Sequence, residues 1–456
     1  MLKGLEVSEV RLSELKLENR TFRIDSNFFS KRILELDKEI KSRKHFFIPE
    51  NKIVSGPFGS SLTSDSYLTE GVPFIRIENI KNGFSISKEN MIYISENDNT
   101  RLKSSQLKLD DLILSKVGNT IGFYARVDEE INNCNISENN IGIKLDDFST
   151  EKKHYILTYL NSKFGFVLTY RRVSGNAQPK LNVFDVSEIP IPEMTDEFMK
   201  NISSQICRSK AKLSESKSLY AQAEDILLSE LGLKDWQPKN EAVSIKTFSD
   251  FALSGRLDAE YYQSKYDEIE AKIKALSHKV LDEVADIQDS NFNPKAKVTY
   301  KYIELANIGS SGEITGYTED LGENLPSRAR RVVHTGDVLV SSIEGSLQSC
   351  AIVSKEYDGA LCSTGFYVLK AVAMNPESLL ILLKSEIMQQ LLKKGCSGTI
   401  LTAISKDEFN RVIIPILPQD IQKQIAELIQ RSFALRQESK QLLESAKLAV
   451  EQEIER

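Results

Sequence analysis

The chain is one unit written twice, and a missed repeat of this kind misreads the whole fold. Ser13-Glu14-Leu15, then Arg23-Ile24-Asp25-Ser26-Asn27-Phe28-Phe29, is answered by Ser249-Asp250-Phe251, then Arg256-Leu257-Asp258-Ala259-Glu260-Tyr261-Tyr262. Ile77-Glu78-Asn79-Ile80 returns as Leu305-Ala306-Asn307-Ile308, and Leu109-Asp110-Asp111-Leu112-Ile113-Leu114-Ser115 as Thr335-Gly336-Asp337-Val338-Leu339-Val340-Ser341. A Gly follows closely each time, Gly118 after Ser115 and Gly345 after Ser342. Ser174-Gly175 and Ser397-Gly398 then precede Ile189-Pro190-Ile191-Pro192 and Ile414-Pro415-Ile416-Leu417-Pro418. The offset stays between about 223 and 236 residues, drifting as loop insertions make it drift. Single matches arise by chance; a series in the same order over the full length does not.

With 456 residues the chain has room for two to four domains of ~100–200 residues. Its 59 Lys+Arg against 65 Asp+Glu exclude a basic nucleic-acid coat and leave open a local basic face. No apolar run approaches the ~18 residues that cross a bilayer, and Met1 to Val7 carries no signal-peptide core. A complete, cytoplasmic protein is therefore expected. Cys134, Cys207, Cys350, Cys362 and Cys396 are odd in number and contain no C-x-x-C, which predicts reduced thiols rather than a disulfide framework or zinc ribbon.

Within each copy the N-terminal motif runs into a charged helical stretch, to Lys44 and to about Leu276. The middles are strand-like, short β-rich runs such as Phe74-Ile75-Arg76-Ile77 and Asp337-Val338-Leu339-Val340 between Gly, Asn and Ser clusters. Helices are expected within them at His154 to Phe164 and Pro376 to Leu392. Each middle is an α+β domain of roughly 140 residues.

After each Pro pair the pattern becomes a long helix. Ile421, Ile425, Leu428, Ser432, Leu435, Ser439, Leu442, Ala446 and Ala449 follow a 4-3 spacing, and Ile202, Ile206, Ser209, Leu213, Ser216, Tyr220, Ala223 and Leu227 hold the same register. Pro192, Pro418 and Gly232 suit helix boundaries. Both seams are diluted with Ser and Ala, so the two helices are expected to bury each other as an antiparallel coiled coil with an internal pseudo-twofold axis. The plainer alternative packs each helix on its own β domain. The predicted blocks are 1–44, 45–193, 194–235, 236–277, 278–417 and 418–456.

No catalytic site is assembled. Gly395-Cys396-Ser397-Gly398-Thr399 lacks the spacing and the lysine of a Walker A loop. Asn293-Pro294 and Asn375-Pro376 lack the following Pro-aromatic pair of an adenine methyltransferase and read as a turn or helix start. Glu215-Ser216-Lys217 and Glu438-Ser439-Lys440 fall in the long helices as solvated flanks. His45, His154, His278 and His334 show no metal-ligand or triad spacing and read as surface or domain-edge residues.

Gly56-Pro57-Phe58-Gly59-Ser60-Ser61-Leu62, Val72-Pro73-Phe74-Ile75-Arg76-Ile77-Glu78-Asn79-Ile80, Asp110-Asp111-Leu112-Ile113-Leu114-Ser115 and Ser174-Gly175-Asn176-Ala177-Gln178-Pro179-Lys180-Leu181 look like successive motifs of a target recognition domain. The Ile-Pro-x-Pro segment and long helix look like the conserved region that follows it. The whole chain resembles the specificity subunit of a type I restriction-modification enzyme. The second half departs from the pattern, with Asp286-Ile287-Gln288-Asp289-Ser290 in place of Gly-Pro-Phe-Gly and Gly398-Thr399-Ile400-Leu401 in place of the Gln-Pro-Lys-Leu version.

The resemblance implies two recognition domains that each read one half of a bipartite double-stranded DNA target. Two methyltransferase chains and the restriction chains would do the chemistry with S-adenosylmethionine, ATP and Mg2+, and this chain would bind no cofactor and no membrane. A helix of about 36 residues is ~54 Å long and spans ~16 base pairs at ~3.4 Å each, an upper bound on the half-site separation. The coiled-coil seam of Ile202, Ile206, Leu213, Tyr220, Leu227, Ile421, Ile425, Leu428, Leu435 and Leu442 would act as spacer and docking site.

Affinity must come from local positive charge. Lys152, Lys153, Arg171, Arg172 and Lys180 are candidates in the first domain, and Lys295, Lys297, Lys301, Arg328, Arg330 and Arg331 in the second. Arg171 and Arg172 stand out because they lead into the Ser-Gly-Asn-Ala-Gln loop. Base readout needs forked donors and acceptors, which selects Asn176, Gln178 and Arg76. Gly56, Gly59 and Gly175 would let the backbone approach the duplex; Ser60, Lys116, Ser397 and Thr399 complete the set. The alternative for Arg76 and Asn79 is to fix a strand end, the preferred reading for Asn79 because Asn307 repeats it. Asp111 and Asp337 are expected to make a turn before a buried strand. Features shared by both halves belong to the fold, because the two half-sites differ. Other readings are the specificity chain of a type IIB-like enzyme, or a protein-interaction scaffold with two modules on a coiled coil.

Overall fold

The run Leu112–Ser115 is buried along its whole length in a computed structural model, which describes residues 9–13, 19–20, 23–81, 83–175, 178–239, 241–398 and 402–456. A strand buried on both faces sends alternate side chains to opposite sides. Leu112 and Leu114 join one core, with Tyr155, Ile156 and Tyr159, while Ile113 joins another, with Ile75, Ile80 and Ile136. The counterpart strand does the same, Val338 and Val340 in one core and Leu339 in another.

The chain divides into two units, Met1–Ala211 with Glu438–Arg456, and Lys212–Gln437. Both divisions fall inside the long helices, so each unit holds one half of each.

In the first unit the strands of the two larger sheets are β1 (Ile53–Ser55), β2 (Val72–Ile75), β3 (Ile92–Ile94), β4 (Leu112–Ser115), β5 (Tyr124–Arg126), β6 (Asn135–Ile136) and β7 (Asn140–Ile143). They form an antiparallel sheet of order β1-β7-β4-β5 and a smaller one, β3-β2-β6, in which β2 and β6 run parallel. Helices α1 (Lys31–Ser42), α2 (Thr150–Leu160) and α3 (Lys163–Arg171) precede the long α4 (Asp196–Glu230).

In the second unit the strands of the two larger sheets are β8 (Ala285–Ile287), β9 (Thr299–Ile303), β10 (Thr318–Leu321), β11 (Ala329–Val332), β12 (Val338–Ser341), β13 (Cys350–Ile352), β14 (Leu361–Ser363) and β15 (Phe366–Ala371). Their orders, β8-β15-β12-β13 and β10-β9-β14-β11, with β9 parallel to β14, reproduce the first unit with β11 added. Helices α5 (Ser264–Lys274), α6 (Pro376–Lys384) and α7 (Glu386–Gly395) precede α8 (Gln419–Glu455). Asn375 caps α6 with Pro376 in its first turn, as read from the sequence. Each middle helix predicted as one is two, because Ser162 and Ser385 each start a second helix by capping it.

The repeated motifs are fold devices. The Asp111 and Asp337 carboxylates accept the backbone N–H of Lys108 at 2.8 Å and of His334 at 2.7 Å, closing the turn before β4 and β12. That turn needs a left-handed residue, supplied by Asp110 (φ 69°) and Gly336 (φ 90°). The side-chain oxygens of Asn79 and Asn307 accept the N–H of Arg76 and Glu304, both at 2.9 Å, fixing the ends of β2 and β9. Arg23 and Arg256 each fork onto the Asp two residues on and lie over the ring of Phe28 or Tyr261.

In the first unit Ile202 and Ile206 of α4 share a core with Ala446, Val450 and Ile454 of α8 and with the side chains of α2. In the second, Ile425 and Ile429 share one with Ala223, Leu227 and Leu231 and with α6 and α7. Every position in the first set reappears in the second displaced by 223 residues. The helices thus contact each other and also their own β domain, so both sequence alternatives describe part of the packing. The dual contact widens the stripe beyond a 4-3 seam. Ile429 and Val450 are buried, whereas Leu213, Ile421, Leu428, Leu442 and Ala449 are half-exposed, a correction to the predicted seam. Tyr220, Leu227 and Leu435 are buried as expected.

His154 corrects another expectation. It is only 2% exposed, its Nδ1 2.8 Å from Ser203 Oγ. Burial, and then the charge of Arg126, lower its pKa to about 4. The unfolded chain binds this proton near pH 6.5 and the folded unit only near 4, so stability is full above 6.5 and falls as pH drops towards 4. The total is roughly 3 kcal/mol. Urea midpoints at pH 7.5 and 4.5 should differ less in His154→Gln than in the wild type; an equal difference would remove this assignment.

Candidate nucleic-acid interface

β1 and β4 run the same way with β7 antiparallel between them, so the C-terminal ends of β1 and β4 meet the N-terminal end of β7. Four loops converge there. The 56–62 loop leaves β1, the 116–123 loop leaves β4, residues 137–139 enter β7, and the 174–180 hairpin docks beside Lys116.

Backbone bonds hold them together. Lys116 N–H donates to Asn139 O at 2.7 Å, Leu181 N–H to Lys116 O at 2.9 Å, and Gly56 N–H to Asn140 O at 3.3 Å. Ser174 and Lys180 exchange two bonds of 2.9 and 2.8 Å, closing a hairpin in which Gly175 adopts φ 94°. Val117 pairs with Lys180 in an isolated bridge.

On this frame Lys116 Nζ reaches Ser55 Oγ at 3.2 Å, while Gln178 and Lys180 are exposed. Burial, and then the Lys180 ammonium, lower the Lys116 pKa below the usual lysine range, with Glu138 opposing. Gly59 N–H donates to Glu138 at 2.6 Å, Ser60 is exposed, and Phe58 stands 83% exposed at the loop tip. Beside it opens a cleft of about 340 Å3 lined in part by Phe58, Tyr67, Arg76, Glu78 and Glu138. The exposed Phe58 and the contributions of Ser55 and Glu138 were missed. Phe58 had a signal in the Gly-Pro-Phe-Gly motif; Ser55 and Glu138 had none, since only the fold brings them in.

Four first-unit expectations change. Arg171 is 3% exposed, ion-paired with Asp37 at 2.8 Å and stacked on Phe28 with its Nε–H on Phe28 O. Arg172 is buried in an ion pair with Glu188. Both side chains are inside the unit and unsuited to phosphate contact. A Cβ on Gly56 would lie 1.9 Å from Ser137 O, so this glycine serves the protein's own packing, not approach to a duplex. Arg76 is tied to Glu78 and to Asn90 O, the strand-end role.

Lys152 and Lys153 lie apart from the converging loops, at the start of α2. The Lys152 ammonium sits 4.1 Å from the Phe46 ring centroid, and Lys153 faces Asp111 at the opposite end of β4. Asn176 and Thr399 lie outside the described residues.

The second unit forms the same loop end. Ser342 N–H donates to Gly365 O at 2.9 Å, as Lys116 does to Asn139, and Ile343 pairs with Ala403 as Val117 does with Lys180. Arg328 arrives here from the turn before β11, its carbonyl accepting Thr364 N–H at 2.9 Å and its side chain exposed. Arg330 Nε–H donates to Ser327 O at 2.8 Å, and Arg331 reaches Gln288 O at 3.5 Å. Ser397 is exposed. Lys301 lies instead over the Tyr317 ring at 4.8 Å and donates to Glu356 O, while Lys295 and Lys297 are exposed on the loop before β9.

Two α+β units share one topology, and each gathers a loop cluster at one sheet end where a cation, Lys180 or Arg328, is exposed and forms no ion pair among the described residues. Residues 277–445 match the family described as type I restriction modification DNA specificity domain. The matched segment lies in the second half of the chain and includes the sheets of the second unit. No curated protein matches the chain. Among 24 matching solved chains are the type I restriction-modification system S subunit from M. genitalium and the HsdS subunit from Thermoanaerobacter tengcongensis. The first is 12% identical, with 90% of this chain and 95% of that chain covered and a TM-score of 0.38. The second is 15% identical, with 91% and 94% covered and a TM-score of 0.27. No helix among the described residues is long and apolar enough to cross a membrane.

Proposed function

We propose that this chain is the DNA specificity subunit of a type I restriction-modification complex, each unit reading one half of a bipartite duplex target with its loop end. The reading is carried by the duplication of that loop end: one topology, two differently furnished sets of loops, one of them within the matched specificity domain. Phosphate contacts set register and base contacts give sequence. In the first unit Lys116 and Lys180 suit the former and Gln178 the latter; in the second unit Arg328 is exposed for either.

The long helices, 35 and 37 residues, are the spacer between half-sites and the docking surface for two methyltransferase chains. This chain is non-catalytic. S-adenosylmethionine, ATP and Mg2+ act on the partner methyltransferase and restriction chains in the cytoplasm.

The test is methylation mapping of the host genome with and without this gene. A two-part motif with an unread gap should lose its methylation when the gene is removed. An unchanged methylation pattern, together with no sequence-selective duplex binding by the chain co-purified with the methyltransferase encoded beside it, would overturn the reading.

A further inference from the structure

The molecule contains its own control for which residues its loop end needs in order to fold. Lys116 follows β4 as Ser342 follows β12, each donating its N–H to the loop before the neighbouring strand. Lys180 occupies the bridge position that Ala403 occupies in the second unit. The same scaffold is therefore built once with two lysines and once with a serine and an alanine. Neither lysine is needed to make the bridge.

Their placement is costly in water. The bridge between Val117 and Lys180 brings Lys180 next to the chain at Lys116, near enough for the two positive charges to repel, and neither ammonium forms an ion pair among the described residues. Lys116 is also half-buried, which removes part of its hydration. Glu138 faces the pair from the 137–139 loop, with its carboxylate on Gly59 N–H. Ser55 Oγ adds a hydroxyl at 3.2 Å from Lys116. Two ammonium groups and a hydroxyl gathered on an exposed edge suit the oxygens of a phosphodiester, which would relieve the repulsion between the cations.

We infer that Lys116 and Lys180, with Ser55, form a clamp for a backbone phosphate of duplex DNA, present in the first unit and absent from the second. The second unit meets the duplex through a different element, the turn before β11 that carries Arg328. The inference rests on the proposed DNA-reading function and adds that the two halves grip unequally.

The test converts the first unit to the residues of the second, in the full chain. Lys116→Ser with Lys180→Ala, and Lys180→Gln alone at its exposed position, are compared with the wild type by fluorescence anisotropy on a mixed-sequence duplex of about 40 base pairs. Salt is varied from about 50 to 300 mM. Each phosphate that is no longer neutralised should flatten the slope of log K against log salt by about 0.9. The double variant should flatten it by about one such step and the single variant by part of one, with unchanged melting. Slopes equal to the wild type in both variants, on a duplex that the wild type binds, would overturn the clamp while leaving the DNA-reading function standing. A wild type that binds no duplex would overturn both.

Discussion

Arg171→Ala should destabilise the first unit by about 3 kcal/mol while leaving the salt dependence of DNA binding unchanged. The guanidinium is buried against Asp37, which is itself buried and is also 2.8 Å from the half-buried Lys41. Removing one partner of a buried pair costs about 3–5 kcal/mol because the remaining charge is stranded; Lys41 holds the figure to the lower end. Phe28 O also loses a donor from Arg171 Nε. Urea unfolding of the full chain, followed by a probe in the first unit, gives the stability, and anisotropy against salt gives the slope. Wild-type stability with a flattened slope would return Arg171 to the phosphate contacts.

Ser432→Leu should cost the second unit about 2–6 kcal/mol. Ser432 and Ser216 are fully buried where the two helices cross, Oγ to Oγ 2.9 Å, with Ser432 Oγ–H also 2.9 Å from Ser216 O. A leucine adds bulk to a filled contact, about 1–3 kcal/mol of overpacking, and strands the Ser216 hydroxyl for about 1–3 more. Ser432→Ala, which strands the hydroxyl without crowding it, should cost about half as much. A leucine variant more stable than the wild type would show that the helices have room to spare. The first unit repeats the contact with Ser209 and Ser439, Oγ to Oγ 2.8 Å, again displaced by 223 residues. The serines that looked like dilution of a seam therefore hydrogen-bond across it.

How far the sequence could be read follows from how local each signal was. The repeat, the long helices, the turn before β4 and the strand-end role of Asn79 were legible because their partners lie within a few residues or recur in order. The burial of Arg171 was not legible from its neighbours, since Asp37 is far off in sequence. It was legible from the repeat. Lys394 pairs with Glu270 and lies over Tyr261, just as Arg171 pairs with Asp37 and lies over Phe28. A cation kept in both halves belongs to the fold, as the paired Asn79 and Asn307 do. Lys116 and Lys180 show the converse, two cations that the second half replaces. His154 looked like a surface residue because its partners, Ser203 and the packing around α2, come from a distant helix. The seam positions shifted by one wherever a β domain, invisible to a heptad count, covers the helix flank.

The four-residue strands β4 and β12 feed two cores with alternate side chains, and this sets what can be rebuilt in the molecule. One residue added inside either strand would turn every later side chain of that strand towards the wrong core. A graft that replaces the residues between Gly56 and Leu62 touches neither core, whereas one between Lys116 and Tyr124 must keep Ile121, buried with Leu112 and Leu114, and Phe123, packed against the core of Ile113. New loops can be mounted on this end while both cores stay filled so long as those two side chains are kept, so the loop end can be rebuilt without renegotiating the fold beneath it.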